Sequence, residues 1–383
     1  METLELVQIF AAGEDTGHQF KRNFTNAESL AAEMIAFTNG DGGDIFIGVE
    51  DNGIISGLNA NDIGRLNQLI SNTASQNVHP PINTKTQNII TDHGIVIVLH
   101  IPQGISRPYH DNNGTYWVKN GSDKRKITSR EELQRLFQST GLVHADETLV
   151  NNTSLSDIDM EYFSAFFEKR FDSPLSKQKI PLRQLIQNMN LGHDDRLNVT
   201  ATLLFTKQPD SKLPVFIVKA GAFHSETLTT SDYSDSKDIK GKIVDVFYQT
   251  VDFILSNLHH QQNGQNVNSL GKSEIPRIVM EELVANALIH REYFISAPVR
   301  ICVFMNRVEI ISPGHLPNNL TIENIKAGNS NVRNPILASF ANQIIPYRGF
   351  GGGIIRALGA YPNIDFVDDR DGNQFKAIIH RLF

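Results

Sequence analysis

Apolar side chains at Leu30, Ala31, Met34, Ile35 and Phe37 recur at helical spacing, so the pattern predicts a helix over 27–38. It ends at Asn39-Gly40-Asp41-Gly42-Gly43, where asparagine and glycine accept positive φ. The short apolar run Asp44-Ile45-Phe46-Ile47-Gly48-Val49 predicts a strand closed by the turn residues Glu50-Asp51-Asn52-Gly53. Further strands are expected at 88–90, 95–101 and 115–119, followed by a helix over 129–139 opened by the capping pair Ser129 and Glu132. Polar residues dominate 142–158, which reads as a linker before a helix at 159–171. The pattern then gives a strand pair at 201–206 and 214–219, a long helix at 240–258 and a second polar interruption at 259–266. A helix at 276–293, strands, a glycine-rich loop, a helix and further strands complete the chain, with no internal repeat.

Chemistry first enters in the helix 276–293. Met280, Leu283, Val284, Ala287 and Leu288 form its apolar face, while Glu282, Asn286 and His290 recur every four residues as an adjacent polar ridge. One reading of such a ridge is a solvated helix face. The other is metal-dependent nucleotide chemistry, in which the carboxylate polarises water and the amide oxygen ligates Mg²⁺ held by phosphates.

The 383 residues carry a formal net charge of -7, so the molecule as a whole does not attract nucleic acid, and binding would need a local patch. One such patch stands out: Lys119, Lys124, Arg125, Lys126 and Arg130 flank the turn Asn120-Gly121-Ser122 behind the aromatic run Tyr116-Trp117-Val118. The plain alternative is a solvated hairpin tip. Hydrophobic residues at 40% and charged residues at 20% exclude a disordered or collagen-like chain, and the length fits two or three packed units. No apolar stretch approaches the roughly 20 residues of a transmembrane helix. The acidic start Met1-Glu2-Thr3-Leu4-Glu5 lacks the features of a secretory signal, which gives a cytoplasmic expectation. The single cysteine, Cys302, has no partner for a disulfide and reads as a buried filler.

Glu14, Gln19-Phe20-Lys21 and the segment from Asn39 to Val49, with its Asn-x-x-Gly-Gly spacing, resemble the Schlafen-type AlbA domain over roughly residues 5–140. The resemblance implies nucleic-acid binding and, in some members of the family, RNA cleavage by clustered carboxylates; by their charge, Lys21, Arg22, Lys119, Lys124, Arg125 and Lys126 are the candidates to meet the phosphate backbone. Here the Glu-Phe-Lys motif of that family reads Gln19-Phe20-Lys21, which leaves Glu14, Glu50 and Asp51 and removes one anionic ligand. Binding without cleavage is the expectation. For Gly42, Gly43 and Gly48 the alternative is a tight turn feeding a buried strand.

The run from Glu282 to Tyr293 resembles the N-box of a divergent GHKL-type ATPase, and three later motifs agree with that family in order. They are the strand and turn Val308 to Pro317 with Gly314, the element Asn331-Val332-Arg333-Asn334-Pro335, and the loop Gly349-Phe350-Gly351-Gly352-Gly353-Ile354. The resemblance implies an ATP and Mg²⁺ site with Glu282 as catalytic base and Asn286 as metal ligand. His290, Gly314, Arg333, Asn334, Gly351, Gly352 and Gly353 complete the nucleotide-binding set. Backbone N–H groups at such a loop and the following helix start can cradle phosphate. Ser312 stands where many members carry an acidic adenine-reading residue, and Tyr347-Arg348 precede the loop where an acidic residue is common. Residues 198–219 resemble the connector of bacterial proteins that join these two domains.

The expected architecture is α/β and α+β multidomain: a Schlafen AlbA-like mixed domain at 1–145, a mixed connector at 146–270, and a GHKL-like α/β sandwich at 271–383. The expected function is an ATP-binding, DNA-binding transcriptional regulator of bacterial type, at most a weak ATPase, with duplex DNA and ATP as partners. A metal-dependent endonuclease and a scaffold with a decayed ATP site are the alternatives, and the oligomeric state stays open.

Overall fold

Asn26 shows how the first predicted helix is started: its side chain accepts a hydrogen bond from Ser29 N at 2.7 Å, satisfying one of the unpaired donors at the helix N-terminus. The computed structural model describes residues 3–140, 143–227, 233–261, 272–317, 320–349 and 351–382. Leu142, residues 262–266 of the second polar interruption and Phe350 of the glycine loop lie outside them. The chain divides into two compact units, Met1–Val143 and His144–Phe383.

The first unit is built on a four-stranded sheet in the spatial order His18–Lys21, Gly42–Ile47, Gly94–Pro102, Lys85–Thr91. The first two strands are parallel and the rest antiparallel. Helix Ala27–Asn39 is buried from Leu30 onward and packs on one face of the sheet with Ile45, Ile47, Ile97 and Leu99. Two helices have no counterpart in the apolar pattern, Thr3–Ala12 and Ala60–Gln76. The second buries only Leu66, Ile70, Thr73 and Ala74, a stripe too thin to read, and its signal is the capping box between Asn59 and Asp62. Strands Trp117–Asn120 and Asp123–Lys126 form the predicted hairpin around Gly121-Ser122, and helix Arg130–Ser139 follows.

The second unit carries a six-stranded sheet in the order Tyr233–Ile239, Val218–Phe223, Val299–Val303, Arg307–Pro313, Gln374–His380, Ile364–Asp369. Only Val218–Phe223 and Val299–Val303 are parallel neighbours. Helices Ile243–Ser256 and Arg277–Ile289 belong to the same hydrophobic core as the sheet. Residues 146–270, expected as a connector, thus supply two strands and a core helix to the sheet that carries the ATPase-like motifs. Cys302 is buried in a middle strand, where loss of solvent pushes its thiol up to about 11.

One element is corrected outright. The expected strand at 201–206 is the helix Val199–Phe205, buried all round. Asn198 caps it by accepting from Ala201 N at 2.9 Å, and Thr202 and Thr206 return their hydroxyls to carbonyls four residues back. A short apolar run with no polar face has no readable period, and the cap decides. The strand expected at 214–219 begins only at Val218. Among the described residues no helix is long and apolar enough to cross a membrane.

Candidate functional site

The helix Arg277–Ile289 does not present its polar ridge to water: Glu282 is 5% exposed, with Leu283, Val284 and Ala287 buried beside it. A carboxylate this deep needs a partner, and it has one. Arg356 Nε donates to Glu282 Oε1 at 2.7 Å from the helix Gly353–Ala360 that follows the glycine loop. Glu282, Asn286 and His290 line one wall of an open cleft of about 1010 Å³, its mouth included. Gly349, Gly351 and Gly353 belong to the same lining. A Cβ placed on Gly353 would come within 2.7 Å of Glu282 Oε2 and 3.5 Å of Asn286 Nδ2, so loop backbone, carboxylate and amide meet at one end of the cleft. The Asn286 side chain makes no hydrogen bond among the described residues.

Gly351 sits at φ +72° with its Cα against the Gly328 carbonyl, a position no side chain can share. Gly314, at φ +96°, leaves room for the Arg333 guanidinium and the Glu292 Cβ. Gly352 is the N-cap of the helix Gly353–Ala360 and carries no side chain between Arg356 and the loop.

Arg333 and Asn334 turn out to be internal braces. Arg333 donates to the His290 carbonyl at 3.3 Å and the His315 carbonyl at 2.6 Å, with Glu292 at 3.5 Å, and burial lowers its pKa. It borders the cleft with each of its nitrogens already facing an acceptor. Asn334 is fully buried and away from the cleft lining; its Nδ2 donates to the carbonyls of Ile289 and Arg291, both at 2.8 Å, and so caps the C-terminal end of the helix Arg277–Ile289. His290 lies 3.1 Å from the Tyr347 hydroxyl, and burial, with Arg333 second, pushes its imidazole down to about 4. It is neutral at pH 7. Tyr347, standing where an acidic residue was looked for, therefore holds His290. Ser312 donates to the Ala287 carbonyl at 2.9 Å, so its hydroxyl serves the helix–strand contact rather than a base.

The cleft also has an apolar lining. Leu283, Ile310, Leu316, Ile325 and the rings of Phe366 and Phe375 line it, the two rings stacked at 5.9 Å and 19°. An aromatic ring fits such a floor. Arg356 is the residue the sequence reading missed. Its one signal was a cation in the first turns of a helix, where the macrodipole disfavours it unless an anion is near.

In the first unit the candidate nucleic-acid residues are largely engaged with their own chain. Lys119 Nζ donates to Gln19 Oε1 at 2.7 Å and to the Ser122 carbonyl, rests over the Phe37 ring at 4.5 Å, and burial lowers its pKa. Lys124 donates to the buried Glu33 at 2.6 Å, and Arg125 grips Glu132 with both terminal nitrogens. Lys126 lies over the Trp117 ring at 5.1 Å and, among the described residues, has no carboxylate partner. Lys21 lies 3.8 Å from Glu14 and 3.9 Å from Asp51, and Arg22 lies 3.4 Å from Glu50.

Gln19 is 3% exposed and bridges opposite charges: its amide N–H donates to Glu14 at 2.7 Å while its oxygen accepts from Lys119. Glu14 also accepts from Phe20 N at 2.6 Å. The three carboxylates of the nuclease alternative are thus each paired with cations or amides. No group of three or more His, Cys, Asp or Glu among the described residues is arranged to hold a metal ion.

Comparison with known proteins agrees with this division. Residues 14–128 match the family described as "Schlafen, AlbA_2", and residues 296–371 match the family HATPase_c_4, described as "Putative ATP-dependent DNA helicase recG C-terminal". No curated protein matches the chain. A crystal structure of a protein from Corynebacterium diphtheriae is similar at 18% identity and a TM-score of 0.45, over 96% of this chain and 65% of that one. This chain therefore spans less than two thirds of that protein's length. The N-terminal domain of a RecG-related protein from Nitrosomonas europaea is similar at 19% identity and a TM-score of 0.26, over 34% of this chain and 97% of that one. The chain joins a Schlafen AlbA_2 domain at its N-terminus to a HATPase_c_4 domain, of the recG C-terminal type, at its C-terminus.

Proposed function

We propose that the cleft of the second unit binds ATP, and that nucleotide occupancy modulates nucleic-acid binding by the Schlafen AlbA_2 domain, as in a transcriptional regulator. One observation carries the nucleotide half. One cleft offers stacked rings and aliphatic side chains together with a glycine loop and the Asn286 amide, which has no hydrogen-bond partner among the described residues. That combination matches a flat base attached to a chain of phosphates. The Asn286 amide is also the group that fits Mg²⁺, since its oxygen is a hard ligand with no competing donor among the described residues. Bound there with the phosphates, Mg²⁺ would offset their charge. Glu282 is paired with Arg356, so binding rather than turnover is the property assigned to the site. The regulatory half requires ATP to prefer one of two states of the protein, and duplex DNA is the proposed target.

Calorimetric titration of ATP with Mg²⁺ into the full chain tests the reading. Saturable binding is expected, weakened in Asn286→Ala; unchanged heats in the variant reject the assigned ligand. Added ATP should also change the affinity for labelled duplex DNA, and an identical isotherm with and without it rejects the regulatory half.

A further inference from the structure

The ion pair between Glu282 and Arg356 lies at the end of the cleft where phosphates would sit under the reading just given, and this inference rests on that reading. Two facts make the pair unusual. Its exposure is one-sided: the Glu282 side chain is 6% exposed and the Arg356 side chain 34%. The Arg356 side chain also folds back over the start of its own helix, since a Cβ on Gly352 would lie 3.0 Å from its Nη1. The guanidinium thus stands between a fixed buried carboxylate and the glycine loop, on the cleft wall.

A guanidinium has five donors, and Glu282 takes the one on Nε, leaving both terminal nitrogens for a second oxygen acid. The other charged groups around this end do not compete for that role. Arg333 already donates to two carbonyls and lies 3.5 Å from Glu292, His290 is neutral at pH 7, and Arg348, exposed beside Gly349, has among the described residues no carboxylate to hold it as Glu282 holds Arg356. A phosphate entering beside the Glu282 carboxylate meets like charge unless the guanidinium turns toward it. We infer that Arg356 is the residue that reads the terminal phosphates of a bound nucleotide, held by Glu282 in the free protein and released to the polyphosphate on binding. Arg356 is a specificity-determining residue of the site, and Glu282 is its counterweight.

The test is calorimetry on the full chain with ATP, ADP, AMP and adenosine, each with Mg²⁺. Wild type should rank them in that order. Arg356→Gln should weaken ATP by about ten- to hundredfold, the loss of one charged hydrogen-bond partner, while adenosine and AMP change little. Glu282→Gln keeps the shape, removes the competing anion, and should tighten ATP severalfold. The double variant carries no unpaired buried charge and should fold, as its urea midpoint will show, yet still lack the preference for ATP over AMP. A pair that only braces the helix would give the opposite signature: both single variants would weaken all four ligands alike. That result overturns the inference, as does a wild-type ATP-to-AMP ratio in the double variant. Wild type that binds adenosine and all three nucleotides equally well overturns the inference and leaves the nucleoside site standing. Wild type that binds none of the four rejects the site itself and the inference with it.

Discussion

Removing the charge of Lys124 should unfold the first unit more readily. Its Nζ lies 2.6 Å from Glu33 Oε1; the Glu33 side chain is 3% exposed, the Lys124 side chain 24%, and Glu33 Oε2 has no hydrogen-bond partner among the described residues. Lys124→Met keeps the aliphatic stem and leaves the buried carboxylate only the more distant charge of Lys119. Breaking one side of a buried pair costs about 3–5 kcal/mol, whereas exposed pairs are worth about 0–1 kcal/mol. Water reaches the lysine end, so the loss expected here lies between those limits, about 2–3 kcal/mol. The chain has one tryptophan, and it reports on this region: Trp117 stands in the partner strand of the hairpin, its Nε1 donating to Asp111 at 3.0 Å. Urea unfolding followed by its fluorescence should show the midpoint falling by about 1 M or more, given typical slopes of about 1–3 kcal/mol per molar urea. Glu33→Gln added to Lys124→Met should recover most of the loss, because a buried amide costs less than a lone buried charge. A single variant within about 0.5 kcal/mol of wild type, or a double variant no better than the single, would refute the reasoning.

Two further outcomes are expected. Between the ordinary histidine value of 6.5 and the depressed value of about 4 for His290, the unfolded chain takes up a proton that the folded chain refuses. Stability present above pH 6.5 is therefore lost as pH falls toward 4, by up to about 3 kcal/mol, and His290→Gln should flatten that decline in urea midpoints at pH 7.5 and 4.5; parallel declines would refute it. In anisotropy titrations of duplex DNA against salt, Lys126→Gln should flatten the log–log slope by about 0.9 and Arg125→Gln should leave it unchanged, because Arg125 is held by Glu132 whereas Lys126 has no carboxylate partner among the described residues. A larger effect from Arg125 would show that its bond to Glu132 opens on DNA.

What the sequence made legible was whatever lies within one or two turns of chain. The helix Ala27–Asn39 announces itself by apolar spacing and by the residues around its ends, and Glu282, Asn286 and His290 fall on one ridge because four residues make about one turn. The hairpin could be placed from Gly121-Ser122 between two short runs. The meaning of these groups was set by partners far along the chain. Arg356 is 74 residues from Glu282, Glu33 is 91 from Lys124, and Gln19 is 100 from Lys119, and no local pattern links them. A basic cluster looked available for phosphate because its carboxylates lay elsewhere in sequence. Helix Val199–Phe205 was misread for the complementary reason: an element buried on every side shows no alternation from which a period can be taken.

The parallel pairing of Val218–Phe223 with Val299–Val303 bears on how this protein can be divided. A fragment starting near 271 would keep the cleft residues but strip the Val299–Val303 strand of its neighbour, turning an interior strand into a bare edge of unpaired N–H and C=O groups. Such an edge recruits other chains, and the loss of helix Ile243–Ser256 would uncover apolar surface beside it. Cutting at His144 leaves the six strands together. The last strand of that sheet to be synthesised, Gln374–His380, pairs between Arg307–Pro313 and Ile364–Asp369. During synthesis, the sheet therefore cannot close until Gln374–His380 has emerged.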